Sequence, residues 1–482
     1  MSEDLKPAEP STDTLVATPQ AAGSSAAEPP AGSGRDGIWS NPDFVRLWSG
    51  ETVSLIGTQI TQFTLPLVAI LTLGASVFEV GLLNACRYSP VVVVSLFAGV
   101  WLDRRKRRPV LIACSLGNAV LIAIVPIADG FGVLSIGLLY VVCLLVGVLT
   151  VIFDVGVLSY VPSLVERRHL ADSNGQIQTS TSLAGIAGPG LAGLLVGILT
   201  APVTLTVDAV SYLCSAIGLI TISQREEEPE QPEVRPSVRA SIAEGLRAVY
   251  GSRLLRSLLS QSATFNFFQN AFITVFVVYA LRDLHLSTLK LGIVIGAISV
   301  GGVAGATVAN RVRKFAGFGR TVLMTTIFAA GCPLVVLIPR GNGFLALTVL
   351  IVAEVVYGFN VLVFNVNTIT LRQTITPNRL LGRMNASYRL VLFGTGPIGA
   401  VLGGWLGSVV GLRNALVVCA FALVTPALWI FFSPIFRMRD MPEGSVEEQL
   451  IAAAQTPAAV SSAAGTPATT GINSSGTGNN ET

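Results

Sequence analysis

The sequence predicts an all-α membrane protein of twelve transmembrane helices, and three observations carry that prediction. Charge is scarce: Lys+Arg 31 and Asp+Glu 28 make up 12% of the 482 residues, about half the ~25% of soluble domains. Apolar residues supply 51% of the chain, glycine adds 48 positions, and mean hydropathy is +0.67. The charges fall mostly between apolar runs, each long enough to cross ~30 Å of hydrocarbon with about 20 residues. A water-soluble fold could not cover its surface with so few Lys, Glu, Arg and Asp side chains.

The same figures exclude other classes. A net charge of +3 without a basic stripe argues against nucleic acid as a partner. The six cysteines, Cys86, Cys114, Cys143, Cys214, Cys332 and Cys419, sit inside apolar runs without a CxxC pair and read as small buried hydrophobes. With two histidines, His169 and His285, no metal site is expected. There is no Gly-x4-Gly-Lys-Ser/Thr loop, so ATP is not the expected driver, and no cofactor is implied. No acid/base pair accompanies a nucleophile, which argues against an enzyme.

The elements follow in order. Residues 1–40, rich in Ala, Pro, Ser and Gly, lack the basic-then-apolar order of a signal peptide and are expected to be a disordered cytoplasmic tail. A first half, 41–222, holds spans near 47–73, 78–102, 109–128, 133–160, 172–198 and 203–222. A linker, 223–255, begins acidic (Glu226-Glu-Glu-Pro-Glu) and becomes amphipathic, with Val238, Ile242, Leu246 and Val249 at helical spacing. Ser241 and Glu244 have capping-box spacing, and Arg239, Arg247 and Arg253 suit an anionic leaflet, so a helix lying on the membrane surface is expected. A second half, 256–437, holds spans near 256–281, 289–310, 321–339, 343–371, 383–410 and 413–436, followed by a second disordered tail, 438–482. The spans 172–198 and 383–410 are rich in Gly and Ser and need protein neighbours rather than lipid.

Placing the N-terminus in the cytoplasm assigns 25 Lys and Arg residues to inner segments and 4 to outer loops, with Arg87 and Arg389 inside spans. That asymmetry sets both termini inside, in the cell membrane. The chain also repeats. Gly99-Val-Trp-Leu-Asp103-Arg-Arg-Lys-Arg-Arg108 has a degenerate partner from Gly305 to Lys314, Leu164–Leu170 matches Ile375–Leu381, and Gly188-Pro189 matches Gly396-Pro397. Because six spans separate the copies, the two halves are parallel repeats about an axis normal to the membrane.

These residues carry a resemblance. Twelve spans in 6+6 form, with Gly99-x3-Asp103-Arg104-x3-Arg108 after the second, resemble the major facilitator superfamily. Asn41-Pro-Asp-Phe-Val-Arg-Leu-Trp48, Phe153-Asp154-x5-Tyr160-Val-Pro162-Ser-Leu164 and Pro377-x3-Leu381-Gly-Arg-Met-Asn385 are similar to its branch of enterobactin-type siderophore exporters and macrolide efflux pumps. The resemblance spans about residues 40–437. It implies that Gly99, Asp103, Arg104 and Arg108 form a gating motif, with Asp103 facing the positive end of span 11, and that spans 1, 4, 7 and 10 line the cavity. Gly185-Ile-Ala-Gly188-Pro189-Gly190 resembles the antiporter motif of span 5; Pro189 and Pro397 are expected to kink their helices and the glycines to allow close packing.

Ionisable groups inside spans are expensive and are functional candidates. Arg87 and Glu354 fall near mid-span. Glu354 shares a helical stripe with Tyr357, Val361 and Asn365, as Glu51 does with Ser54, Thr58 and Gln62; Asn266, Gln269 and Asn270 cluster in span 7. Asp154 lies in the inner third of span 4, and a pairing of Arg87 with Asp154 or another acid is expected. Glu51 and Asp208 are expected to be solvated or capping, and Arg389 to make a contact between halves or with phosphate. The coupling or substrate set is therefore Arg87, Asp154, Glu354, Tyr357, Asn266, Gln62 and Arg389. The arginine that drug–proton antiporters of the superfamily carry in span 4 is missing from Leu144–Phe153. The expected activity is alternating-access export of a hydrophobic or amphipathic small molecule in exchange for protons, by a monomer in the bilayer. An uptake carrier or facilitator, and more distantly a non-transporting sensor, stay open on sequence alone.

Overall fold

The computed structural model describes residues 38–102, 105–224, 226, 238–339 and 341–440. Most of both tails, the acidic start of the linker, and Asp103 and Arg104 of the gating motif lie outside the described residues.

The chain enters its first span through a built cap. The Asn41 side chain accepts from the Asp43 and Phe44 amides at 3.0 and 3.2 Å, and Pro42 occupies the first helical turn, where its missing N–H costs nothing. Helix α1 thus begins at Pro42, earlier than the apolar pattern indicates, and runs to Leu67. A π-helical turn, Val68–Thr72, follows Pro66, which withholds one backbone donor. Then come α2 (Val77–Leu102), α3 (Arg107–Gly130), α4 (Ile136–Leu164), α5 (Leu170–Ile198) and α6 (Ala201–Thr221). The linker helix α7 (Val238–Gly251) precedes α8 (Arg253–Arg282), α9 (Thr288–Ala316), α10 (Phe318–Val335), α11 (Phe344–Ile375) and α12 (Asn378–Val410). The last span is interrupted before Pro426, giving α13 (Leu412–Ala422) and α14 (Pro426–Phe431). Among the described residues, twelve stretches are long and apolar enough to cross a membrane.

Packing divides the spans into two sets of like design. In the first, α1 packs on α5 and α6, α2 on α4, and α3 on α4 and α6; in the second, α8 packs on α12 and α13, and α11 on α9 and α10. The sets meet along two seams, α2 with α12 and α5 with α9. Helices α5 and α12, which carry the repeated Gly-Pro, hold equivalent places: each packs on the first helix of its own half and the second helix of the other. Pro189 and Pro397 both lie inside continuous helices.

The seams are tight only at the end remote from the termini. A Cβ on Gly81 of α2 would stand 2.5 Å from the Ala400 carbonyl of α12, and one on Gly292 of α9 would stand 2.2 Å from the Pro189 carbonyl of α5. Backbones approach this closely because glycine leaves no side chain between them. Thr288 Oγ1 donates to the Gly193 carbonyl at 2.9 Å, and Arg282 at the end of α8 donates to the Ala75 carbonyl at 2.7 Å. Toward the termini, Asp154, Asn365 and Arg389 are exposed. The crevice between the halves is shut at one end and open toward the other.

Helix α7 lies where the linker's amphipathic stretch places it, and it is anchored to the second half. It begins at Val238, so Ser241 is already inside it, and the Glu244 carboxylate pairs with Arg383 of α12 rather than closing a capping box. Gly245 lies against the Arg383 carbonyl, and Val249 is 0% exposed. Val249 joins the apolar core of the second half, and Glu244 and Gly245 fasten the helix to α12.

Candidate functional site

The segment expected to act as a gate is described in part. Arg108, half-buried near the start of α3, donates through Nε to the Leu219 carbonyl at 2.9 Å and through Nη2 to the Ile220 carbonyl at 2.8 Å. It therefore caps the C-terminus of α6, where the helix dipole favours a cation. Glu226 answers it, accepting from the Arg107 and Arg108 amides at 2.8 and 3.1 Å, so a carboxylate sits at the positive end of α3. Asp43 likewise accepts from the Ser223 and Gln224 amides, both at 2.9 Å. A Cβ on Gly99 would meet nothing within 4 Å.

A polar cluster occupies the first half. Asp208, expected to be solvated, is 0% exposed. Ser211 Oγ lies 2.9 Å from its Oδ1, and Oδ2 has no hydrogen-bond partner. A Cβ on Gly57 would come 2.4 Å from Asp208 Oδ1, so α1 presses directly on this carboxylate. The charge of Arg87 acts on Asp208, the Arg389 guanidinium of the opposite half acts on Asp154, and Asp154 in turn acts on Glu51. Among the described residues no ion pair joins Arg87 to Asp154, and Asp208 is the acid on which the Arg87 charge acts. Arg87 lies 5.0 Å over the Tyr88 ring and donates weakly to the Gln62 carbonyl at 3.5 Å. Tyr212 on α6 stands 3.2 Å from the Thr58 hydroxyl.

Two chambers follow the seam. The central one, about 300 Å³, is bounded by Gln59, Gln62, Asn84, Arg87 and Tyr88 of the first half and by Gln269, Asn270, Ile273 and Tyr357 of the second. The other, about 230 Å³, lies within the second half between Gln261, Phe265, Asn266, Asn365, Thr368, Arg372 and Tyr388. Gln269 and Tyr357 line both. The walls combine aliphatic and aromatic surface with a few amides and hydroxyls, the composition of small-molecule sites. The recess at the rim, about 860 Å³ between Arg313, Arg320 and Arg439, lies outside this path.

The structure brings Gln62, Arg87, Asn266 and Tyr357 to these chambers as expected. Glu354 is 8% exposed and lies beside Cys332 of α10, behind Tyr357 and not on either wall. Arg389, over the Phe393 ring at 5.7 Å, faces Asp154 nearer the open end. Gly188 packs on Gln59, and Gly396 packs on Asn266 and Asn270; these repeated glycines seat α5 and α12 beside the chambers. Sequence reasoning missed Arg372 and Tyr388. Arg372 was counted among loop cations, yet extending the stripe of Glu354, Tyr357, Val361 and Asn365 by two turns reaches Thr368 and Arg372 on the same face. Among the described residues, no cluster of His, Cys, Asp and Glu has metal-binding geometry.

A two-half bundle with a crevice along its seams is a transporter's architecture, and residues 39–460 match the family described as transmembrane secretion effector. The chain belongs to this family of major facilitator transporters. It is a multi-pass membrane transporter, not an enzyme. Among family relatives, the chain is 25% identical over 392 residues to the multidrug efflux pump Tap of Mycolicibacterium fortuitum, covering 80% of this chain and 94% of the relative. It is 21% identical to macrolide efflux protein A of Streptococcus pyogenes (80% and 95% covered) and 24% identical to the enterobactin exporter EntS of Shigella flexneri (77% and 86% covered). In fold it is similar to a bacterial homologue of the iron transporter ferroportin in an inward-facing state, with TM-score 0.65, 15% identity, and 81% and 98% of the two chains covered.

Proposed function

We propose that the protein exports a hydrophobic or amphipathic small molecule across the plasma membrane by alternating access, in exchange for protons. The crevice carries this reading: it is closed by glycine-lined seams at one end, open at the other, and lined by mostly apolar walls with scattered amides. The excess of Lys and Arg on the inner segments supports cytoplasmic termini, so the open end faces the cytoplasm, where an exporter loads its cargo. Relatives named as efflux pumps support the direction. The crevice is complete within one chain, which supports a monomer acting in the bilayer. Residues 41–222 and 256–437 would be the rocking halves, 223–255 the tether, and 1–40 and 438–482 the tails.

Glu354 is the proposed proton carrier. It is a buried acid beside Tyr357, the one acid on the helix that lines both chambers, and proton uptake and release there would alter how Tyr357 meets the cargo. In inverted vesicles with an imposed pH gradient, the wild type should accumulate a fluorescent substrate in a gradient-dependent way. Glu354→Gln, at equal membrane abundance, should move substrate at a rate insensitive to the gradient. Unchanged gradient dependence in that variant would remove Glu354 from the coupling step, and accumulation only in right-side-out vesicles would make the protein an uptake carrier.

A further inference from the structure

The chamber of the second half holds a charge without a counter-charge. The Arg372 guanidinium stacks on the Tyr388 ring at 3.9 Å. Its Nε is buried with no hydrogen-bond partner, and no carboxylate lies within ion-pair distance among the described residues. The platform is fixed: Tyr388 Oη donates toward the Leu258 carbonyl at 3.1 Å and Ser262 Oγ at 2.7 Å. Stacking leaves the edge of the guanidinium fork free to meet a planar acceptor with two hydrogen bonds. Although Arg372 lies in the last turn of α11, its guanidinium is stacked on Tyr388 at the chamber wall with no acid beside it, so this position favours a ligand that brings the missing negative charge.

The rest of the lining agrees. The second chamber contributes Arg372 and the central chamber Arg87, and neither is bounded by an Asp or Glu. Within the two chambers a lipophilic cation would meet two like charges and no acid on the walls, whereas an anion would meet donors. Phe265 and Tyr357, near-parallel at 11° with ring centroids 6.3 Å apart, supply apolar surface for the remainder of such a molecule.

We infer that Arg372, held on Tyr388, forms a subsite for the carboxylate, sulfonate or phosphate group of an amphipathic aromatic anion, which enters from the open end of the crevice. This rests on the transporter reading and narrows its substrate class. Two probes share one skeleton and differ in charge: 8-anilinonaphthalene-1-sulfonate and the neutral N-phenyl-1-naphthylamine. Equilibrium dialysis against the purified full chain in nanodiscs, with empty nanodiscs subtracted, should show at least ten-fold tighter binding of the sulfonate. Arg372→Gln should remove that preference without changing the affinity for the neutral probe, and Arg372→Lys should retain part of it. The wild-type comparison needs no substitution, so it decides even where a variant folds poorly. Equal affinity for the two probes, no binding of the sulfonate, or equal losses for both in Arg372→Gln would overturn the subsite. Flux of both probes in proteoliposomes separates the two claims. An Arg372-dependent preference with no flux of either probe would sink the proposed export of this substrate class and leave the subsite. Flux of the neutral probe with no such preference would do the reverse.

Discussion

Asp208 shows how much a single residue can depend on its neighbours. Placed eighth in α6 near the end remote from the termini, it looks from the sequence like a solvated interfacial acid. The fold instead presses α1 against it through Gly57, provides Ser211 as a donor, and sets the positive charge of Arg87 nearby. Asp208→Ala would strand the polar groups around it and should cost about 1–3 kcal/mol, read as reduced yield of monodisperse protein and a lower melting temperature. Asp208→Asn keeps the shape and one acceptor oxygen, so it should restore most of the yield. Full stability of the alanine variant would show that the cluster contributes nothing to the fold. Gly57→Val should be harmful for a steric reason, since even its Cβ would overlap the Ser211 hydroxyl, 2.0 Å away.

At the scale of elements, the ends of α3 and α6 lock each other. Arg108 closes the carbonyl end of α6, and Glu226 closes the amide end of α3. Each interaction is a charge-assisted hydrogen bond at a helix terminus of matching sign. Arg108→Ala should lower the melting temperature through the loss of ~1–3 kcal/mol. Adding Glu226→Ala should cost less than the sum, because the two groups share one junction; strictly additive losses would show that the junction does not act as a unit. The linker helix follows a similar logic. Glu244 and Gly245 bind it to α12, so it should travel with the second half when the halves rock, and Glu244→Lys should release it to proteolysis at Arg247. Unaltered cleavage would mean that Val249 and its apolar neighbours suffice to hold the helix.

For the whole molecule, the closed end is the testable feature. A Cβ on Gly407 would lie 3.4 Å from Val77 Cβ across the α2–α12 seam, close to the ~3.5–4.5 Å at which a disulfide forms. The pair Val77→Cys and Gly407→Cys should therefore crosslink readily under oxidation and hold that end shut. Flux should stop, probe binding from the open end should persist, and a reductant should restore turnover. Undiminished flux in the fully crosslinked protein would show that the halves need not separate there.

The sequence by itself determined the membrane class, the twelve spans, the parallel repeat and the family, because each rests on local quantities: apolar length, charge spacing and motif order along one chain. Arg87, Gln62, Asn266 and Tyr357, singled out from the sequence, line the two chambers, since a polar residue on an apolar helix must face protein or water. Only the tertiary structure decided which polar groups meet. It paired Arg87's field with Asp208 rather than Asp154, set Glu354 behind the wall, and drew Arg372 onto Tyr388 in the second chamber. Those outcomes depend on helix rotation and on how closely backbones can approach at Gly57, Gly81 and Gly292. That geometry is fixed by contacts between helices far apart in the chain, which spacing along any one of them does not encode.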